Sequence, residues 1–106
     1  MRGDLVTIAL QGDFGKPRPA LVIQSNLFFN HPSVTVLPIT SEIRDTPLFR
    51  FLIEPSKENG LLKTSQVMID KIQTVSMEKL SQPFGSISEN QLIEINRLLA
   101  LFLGLA

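Results

Sequence analysis

The sequence predicts a mainly β domain, a small and strongly curved sheet or partly open barrel, completed by one C-terminal α-helix. Three observations carry this reading. Short β-branched and apolar runs alternate with Gly and Pro punctuation through the first three quarters of the chain. The last segment then changes its apolar period from two to about 3.6. The chain has 106 residues, 43% hydrophobic and 19% charged, which suits one globular domain with its own core and excludes disordered and coiled-coil classes.

The elements follow in order. Leu5 to Leu10 is apolar and β-branched, a first strand. Gln11-Gly12-Asp13-Phe14-Gly15-Lys16-Pro17 is a loop, because two glycines and a proline defeat both regular periods. Arg18 to Gln24 reads as strand two, with Pro19 confined to its start or to an edge because proline offers no N–H to a ladder. A polar turn or short helix spans Ser25 to Asn30, and Ser33 to Ile39 is a third strand. Thr40 to Pro47 reads as an exposed loop, and Phe49-Arg50-Phe51-Leu52-Ile53 alternates like a half-buried strand. Ser65 to Val75 reads as one long, bent strand. Ser88-Glu89-Asn90-Gln91 fits a capping box, after which Leu92, Ile95, Leu99 and Phe102 recur at helical spacing. Leu98 and Leu103 widen that stripe until the last two turns are apolar almost all round. Such a helix either packs on the sheet and also joins a second subunit, or lies deep within its own monomer.

Composition narrows the chemistry. With no Cys there is no disulfide or thiolate, and the lone His excludes a histidine zinc cluster. His31, in Asn30-His31-Pro32, reads as a surface histidine in a turn. The start runs directly into a strand pattern, and the apolar run Leu98 to Leu105 is too short to span a bilayer, which needs about 20 residues. A cytoplasmic protein without a membrane segment is the expectation. Ten Lys and Arg balance ten Asp and Glu, which argues against holding duplex DNA by a broad basic coat.

The polar residues that stand out sit at strand ends. Arg18 opens strand two, where its guanidinium can grip a phosphate bidentately or pair with Asp13 or Asp70. Thr40 and Ser41 close strand three, with hydroxyls suited either to a phosphoryl oxygen or to turn formation. Asp70 interrupts the apolar run of Val67, Met68, Ile69 and Ile72, so it is an ion-pair member or a functional group. There is no Gly-rich phosphate loop, no nucleophile elbow and no metal-ligand cluster.

Arg2-Gly3-Asp4-Leu5-Val6, the Gly-containing loop, Arg18-Pro19-Ala20-Leu21-Val22-Ile23, Pro38-Ile39-Thr40-Ser41 and the stretch Ser65 to Val75, in this order and spacing, resemble the MazF/PemK (Kid) toxins of bacterial toxin–antitoxin pairs. The resemblance implies an SH3-like small barrel of the MazF/CcdB type with a C-terminal helix, assembled as a homodimer. It implies a sequence-specific, metal-independent endoribonuclease that needs no cofactor and cuts single-stranded mRNA through the substrate's own 2′-hydroxyl. Its cleavage residues fall on Arg18 and Thr40, with Asp70 and Asp13 as candidates for the general base. Lys16, Ser41, Asp13, Arg44 and Lys71 become candidate RNA contacts, with Arg50 a further cation for the groove. A cognate, MazE-like antitoxin with an acidic segment is the implied partner.

Two departures stand beside the match. Where some members carry Arg-x-Asp, this chain has Met68-Ile69-Asp70, and its loop before Arg18 is shortened and lacks the Glu-Gln pair seen in many members. The alternative is a CcdB-like poison of DNA gyrase, which shares the barrel and acts by binding gyrase A through the end of its helix. The ending Phe102-Leu103-Gly104-Leu105-Ala106 has its outline but lacks the tryptophan anchor. Zero net charge then reads as a constraint: a few local cations line a narrow groove, and salt dependence is shallow.

Overall fold

A computed structural model describes residues 1–9 and 16–105. The loop residues Gln11 to Gly15, Asp13 among them, and Leu10 at the end of the expected first strand lie outside the described residues. Within these, seven strands form one antiparallel system. They are β1 (Asp4–Ala9), β2 (Pro17–Val22), β3 (Ser33–Thr40), β4 (Arg50–Ile53), β5 (Ser65–Met68), β6 (Gln73–Ser76) and β7 (Gly85–Ser86). The order across the sheet is β4-β5-β3-β2-β1-β7, with β6 also pairing β3. A 15-residue helix, α1 (Glu89–Leu103), completes the chain. This is the expected mainly β half-barrel with a terminal helix.

Alternation builds two apolar faces. Opposed residues in a ladder share a face, so Leu5, Leu21 and Leu37 form one row across β1, β2 and β3, and Ile39, Val67 and Phe51 continue it across β3, β5 and β4. These residues join Ile53, Ile69 and Ile95 in the main core. The intervening residues Val6, Ile8, Ala20, Val22, Val34, Val36 and Val75 make a second cluster on the other face, with Leu80 against it. Helix α1 packs on the first face through Ile95, which is 0% exposed. Full burial of such a side chain contributes about 1.5–3 kcal/mol.

The helix begins as the sequence predicts. The Gln91 N–H donates to Ser88 Oγ at 3.1 Å, and the Ser88 N–H donates to Gln91 Oε1 at 3.1 Å. It ends on Gly104 in the left-handed region, φ 74°. Its last turns differ from deep burial within the monomer: Leu101, Phe102 and Leu103 are each about half exposed. Leu98 and Leu99 still pack on the core, and beyond them the apolar side chains are open to solvent.

The expected single strand from Ser65 to Val75 is corrected to two. Both β5 and β6 pair the same strand, β3, through Ile39↔Val67 and Val36↔Gln73. Three residue steps on β3 thus face six on the partner, and three extra residues are looped out in the turn around Asp70. Pro38 lies in the gap and has no N–H to leave orphaned. The Ser25–Asn30 region contains a one-turn 3₁₀ helix, Asn26–Phe28, capped by Ser25 Oγ. Pro19 falls where expected: the β2–β3 ladder covers only Ala20, Leu21 and Val22, so Pro17 and Pro19 lie in the half of β2 paired with β1 alone. Among the described residues, no helix is long and apolar enough to cross a membrane.

Candidate active site

Register brings the two principal site residues toward one place. Arg18 is opposite Ile8 on β1, and Thr40 is opposite Gln66 on β5. The β2–β3 ladder ends at Ala20↔Pro38, with Arg18 two residues before Ala20 on β2 and Thr40 two residues after Pro38 on β3, so both lie just beyond the same end of that ladder. Thr40 and Gln66 are a cross-strand pair, and by strand alternation Arg18 lies on the same face as Ile8 and Ala20, the face of the second cluster. Arg18 is exposed, as is Lys16 just before β2.

Thr40 is half-buried, and its hydroxyl is chemically able to accept and donate at once. Its Oγ1 accepts the Glu42 N–H at 3.1 Å, which is the turn-forming role. An acceptor bond occupies a lone pair and leaves the hydroxyl proton to be donated, so the turn directs the hydroxyl without using its donor. Ser41 beside it is exposed.

Behind Thr40 lies a network in which Gln66 is central, and sequence reasoning did not single it out. Gln66 is 6% exposed. Its Oε1 accepts the Arg44 N–H at 3.0 Å and Arg50 Nη1 at 3.1 Å, while its Nε2 donates to the Arg44 carbonyl at 2.8 Å. Arg50 Nη1 also donates to the Glu42 carbonyl at 2.8 Å. Residues 42–46 are thereby tied to β4 and β5. The available signal was a long amide inside the otherwise apolar β5 run, since a buried amide must find partners.

The other candidates are more dispersed. Arg44 is exposed on that loop, its Nη2 3.1 Å from Glu42 Oε1. An open groove of about 480 Å³ borders the loop, lined by Arg44, Arg50 and Gln66 together with apolar Ile43, Leu52 and Leu98. Asp70 occupies the turn between β5 and β6. Its Oδ2 is 3.7 Å from Lys71 Nζ, and its Oδ1 is buried with no hydrogen-bond partner. The strand β3 stands between β2 and β5, so two interstrand spacings, roughly 10 Å, separate the backbone of Arg18's strand from that of β5. Asp70 and Lys71 lie in the turn after β5, outside the ladder pairs that hold Arg18 and Thr40. His31 is a surface residue whose Nδ1 is 3.1 Å from the Ser33 nitrogen, as its turn signal suggests. A second cavity, of about 270 Å³, lies among Val22, Phe29, Val34, Met77 and Leu80, and none of the candidate site residues lines it.

One cation outside this region is structural. The Arg2 guanidinium donates to the Ile23 carbonyl and to Asn96 Oδ1, tying the N-terminus and the end of β2 to α1. Burial lowers its pKa from the usual guanidinium value by desolvation.

Residues 1–103 match the family model described as PemK-like, MazF-like toxin of type II toxin–antitoxin system. The chain is 43% identical over 106 residues to a protein of Mycolicibacterium smegmatis named "Probable endoribonuclease MazF", covering 99% of this chain and 97% of that one. It is similar in fold to a Mycobacterium tuberculosis toxin, MazF-mt6, with a TM-score of 0.81 and 24% identity over 95% of this chain and 96% of that chain. It is equally similar, TM-score 0.81 and 24% identity over 100% and 96% of the two chains, to a structure described as an endoribonuclease in complex with its cognate antitoxin from Mycobacterial species. With the family model spanning all but its last three residues, the chain belongs to the PemK-like, MazF-like toxins of type II toxin–antitoxin systems.

Proposed function

We propose that this chain is the toxin of such a pair and acts as a sequence-specific, metal-independent endoribonuclease on single-stranded mRNA in the cytoplasm. The observation that supports the reading is that Arg18 and Thr40 lie just beyond the same end of the β2–β3 ladder, on one face by strand alternation. The name of the M. smegmatis relative supports the activity class.

The chemistry needs little from the protein beyond placement and charge. The substrate's 2′-oxygen attacks the adjacent phosphorus, the bond from phosphorus to the 5′-oxygen breaks, and a 2′,3′-cyclic phosphate and a 5′-hydroxyl result. Arg18 supplies a fork of N–H donors and a positive charge for the oxygens of the phosphorane. Thr40 donates a hydrogen bond from its hydroxyl to a phosphate oxygen and so orients it. The 2′-hydroxyl proton passes to a general base, for which Asp70 and Asp13 are the candidates. Asp70 has one carboxylate oxygen, Oδ1, buried and without a hydrogen-bond partner among the described residues. The leaving 5′-oxygen takes a proton from a general acid, for which Arg18 is the candidate, and solvent restores the proton to Arg18. Lys16, Ser41, Arg44 and Lys71 add contacts along the chain of phosphates, with Asp13 at the loop. Because attack uses the substrate's own hydroxyl, no metal is required to generate a nucleophile, and among the described residues no three His, Cys, Asp or Glu lie together to hold one.

Two partners belong to the same reading. The exposed helix end, Leu101, Phe102, Leu103 and Leu105, supports a homodimer in which these side chains are covered. A MazE-like antitoxin whose acidic, initially disordered segment folds over the cation-lined groove supplies inhibition. The test is incubation of the protein with a long RNA and mapping of 5′-hydroxyl ends, with Arg18→Ala alongside and a gyrase cleavage assay in parallel. Ends at a shared motif, lost in Arg18→Ala, are expected. Gyrase-dependent DNA breaks without RNA ends would instead support the CcdB-like alternative.

A further inference from the structure

We propose that Gln66 is a positioning residue for cleavage, acting through the backbone of the loop that follows Thr40. This inference rests on the endoribonuclease reading above. The physical path is short and continuous. Gln66 clamps Arg44 from both sides, accepting its N–H at 3.0 Å and donating to its carbonyl at 2.8 Å. The same Oε1 accepts Arg50 Nη1, and Arg50 Nη1 in turn holds the Glu42 carbonyl at 2.8 Å. The N–H of Glu42 is the donor that fixes Thr40 Oγ1. One buried amide therefore sets three points of the loop, and the loop sets the rotamer of the hydroxyl that meets the phosphate.

Three properties separate this role from ordinary loop support. Gln66 stands opposite Thr40 in the β3–β5 ladder, so it is held in register with the residue it positions. Its partners include Arg50, a groove-lining cation that is anchored through a single Nη1. A third property is the contrast with Gln24, which makes the same kind of clamp elsewhere. Gln24 Nε2 donates to the Phe28 and Ser33 carbonyls and its Oε1 accepts the Thr35 N–H. Gln24 follows β2 at the end away from Arg18, so its clamp secures a 3₁₀ turn and touches none of the site residues. The two glutamines form a matched pair, equal in chemistry and different in place.

The experiment compares Gln66→Leu, Gln66→Glu and Gln24→Leu with the wild-type protein. Folding is followed by circular dichroism and RNA cleavage by kcat and KM measured separately. A displacement of about 1 Å at a catalytic group costs roughly 100-fold, so Gln66→Leu is expected to lose tenfold or more in kcat while KM changes less than threefold. Gln66→Glu keeps the two acceptor bonds and loses the one to the Arg44 carbonyl, so its kcat should fall between Gln66→Leu and wild type. Gln24→Leu should lower the melting temperature yet keep the wild-type kcat. A folded Gln66→Leu with wild-type kcat overturns the proposal, as does an equal loss of kcat in both leucine variants. Should Gln66→Leu not fold, Gln66→Glu decides, and wild-type kcat in that variant overturns the proposal. Absence of cleavage by the wild-type protein itself would refute the endoribonuclease reading and this inference with it.

Discussion

Replacing Thr40 by Val removes one oxygen and keeps the shape, so its two roles can be separated by magnitude. The stability term comes from the bond between the Glu42 N–H and Oγ1, 3.1 Å long and half-buried. A hydrogen bond of this kind contributes about 1 kcal/mol net, and a domain of this size then loses roughly 4 °C in melting temperature. Domains of ordinary stability hold 5 kcal/mol or more, roughly, so Thr40→Val remains folded at the assay temperature. The catalytic term is larger. Loss of one preorganised donor to a developing oxyanion costs about 100- to 1000-fold. Initial rates on a fluorogenic RNA, read beside thermal melts, should therefore show a fall of at least 30-fold or so with a melting shift of a few degrees. Thr40→Ser, which keeps the oxygen, should retain most of the rate. A Thr40→Val protein that cuts RNA at the wild-type rate would refute the assignment of the hydroxyl to the phosphate.

The remaining predictions test other parts of the account. Cleavage should survive excess EDTA; loss of activity on chelation, restored by magnesium, would contradict the 2′-hydroxyl mechanism without metal. Phe102→Glu, which places a charge on a side chain 48% exposed at the helix end, should convert a homodimer into a monomer in light scattering, and a wild-type protein that is already monomeric would contradict the dimer. Gly85→Ala puts a Cβ 2.2 Å from the Asn59 carbonyl oxygen, where Asn59 is itself buried. Overpacking of this kind costs about 2 kcal/mol, so the melting temperature should fall by roughly 8 °C or more; an unchanged melt would show that the approach is not as close as described.

What the sequence discloses depends on how local each determinant is. The strands around Leu5, Leu21 and Leu37 are written in β-branched alternation, and the start of α1 in Ser88 and Gln91, whose reciprocal bonds lie within one turn. The break between β5 and β6 is a matter of register against β3. Ile69 and Ile72 suit a strand as well as a looped turn, so no local signal marks the three extra residues. Arg18 and Thr40 stand out through the local motifs Arg18-Pro19 and Pro38-Ile39-Thr40-Ser41. That both lie at one end of the β2–β3 ladder depends on pairing between distant segments. Gln66 escaped for a related reason: an amide has no reactive group to advertise, and its significance lies wholly in what it touches. The exposure of Leu101, Phe102 and Leu103 at the end of α1 is set by tertiary packing, which the helical period alone does not encode.

The central claim is that Arg18 and Thr40 form one RNA-cleaving site. The most direct measurement is the mapping of 5′ ends on a long RNA after treatment with the wild-type, Arg18→Ala and Thr40→Val proteins, each confirmed as folded. The account predicts 5′-hydroxyl ends at a shared sequence motif with the wild type, at least tenfold fewer with either variant, and no new positions. Undiminished ends in both variants, or no specific ends with the wild type, would contradict it.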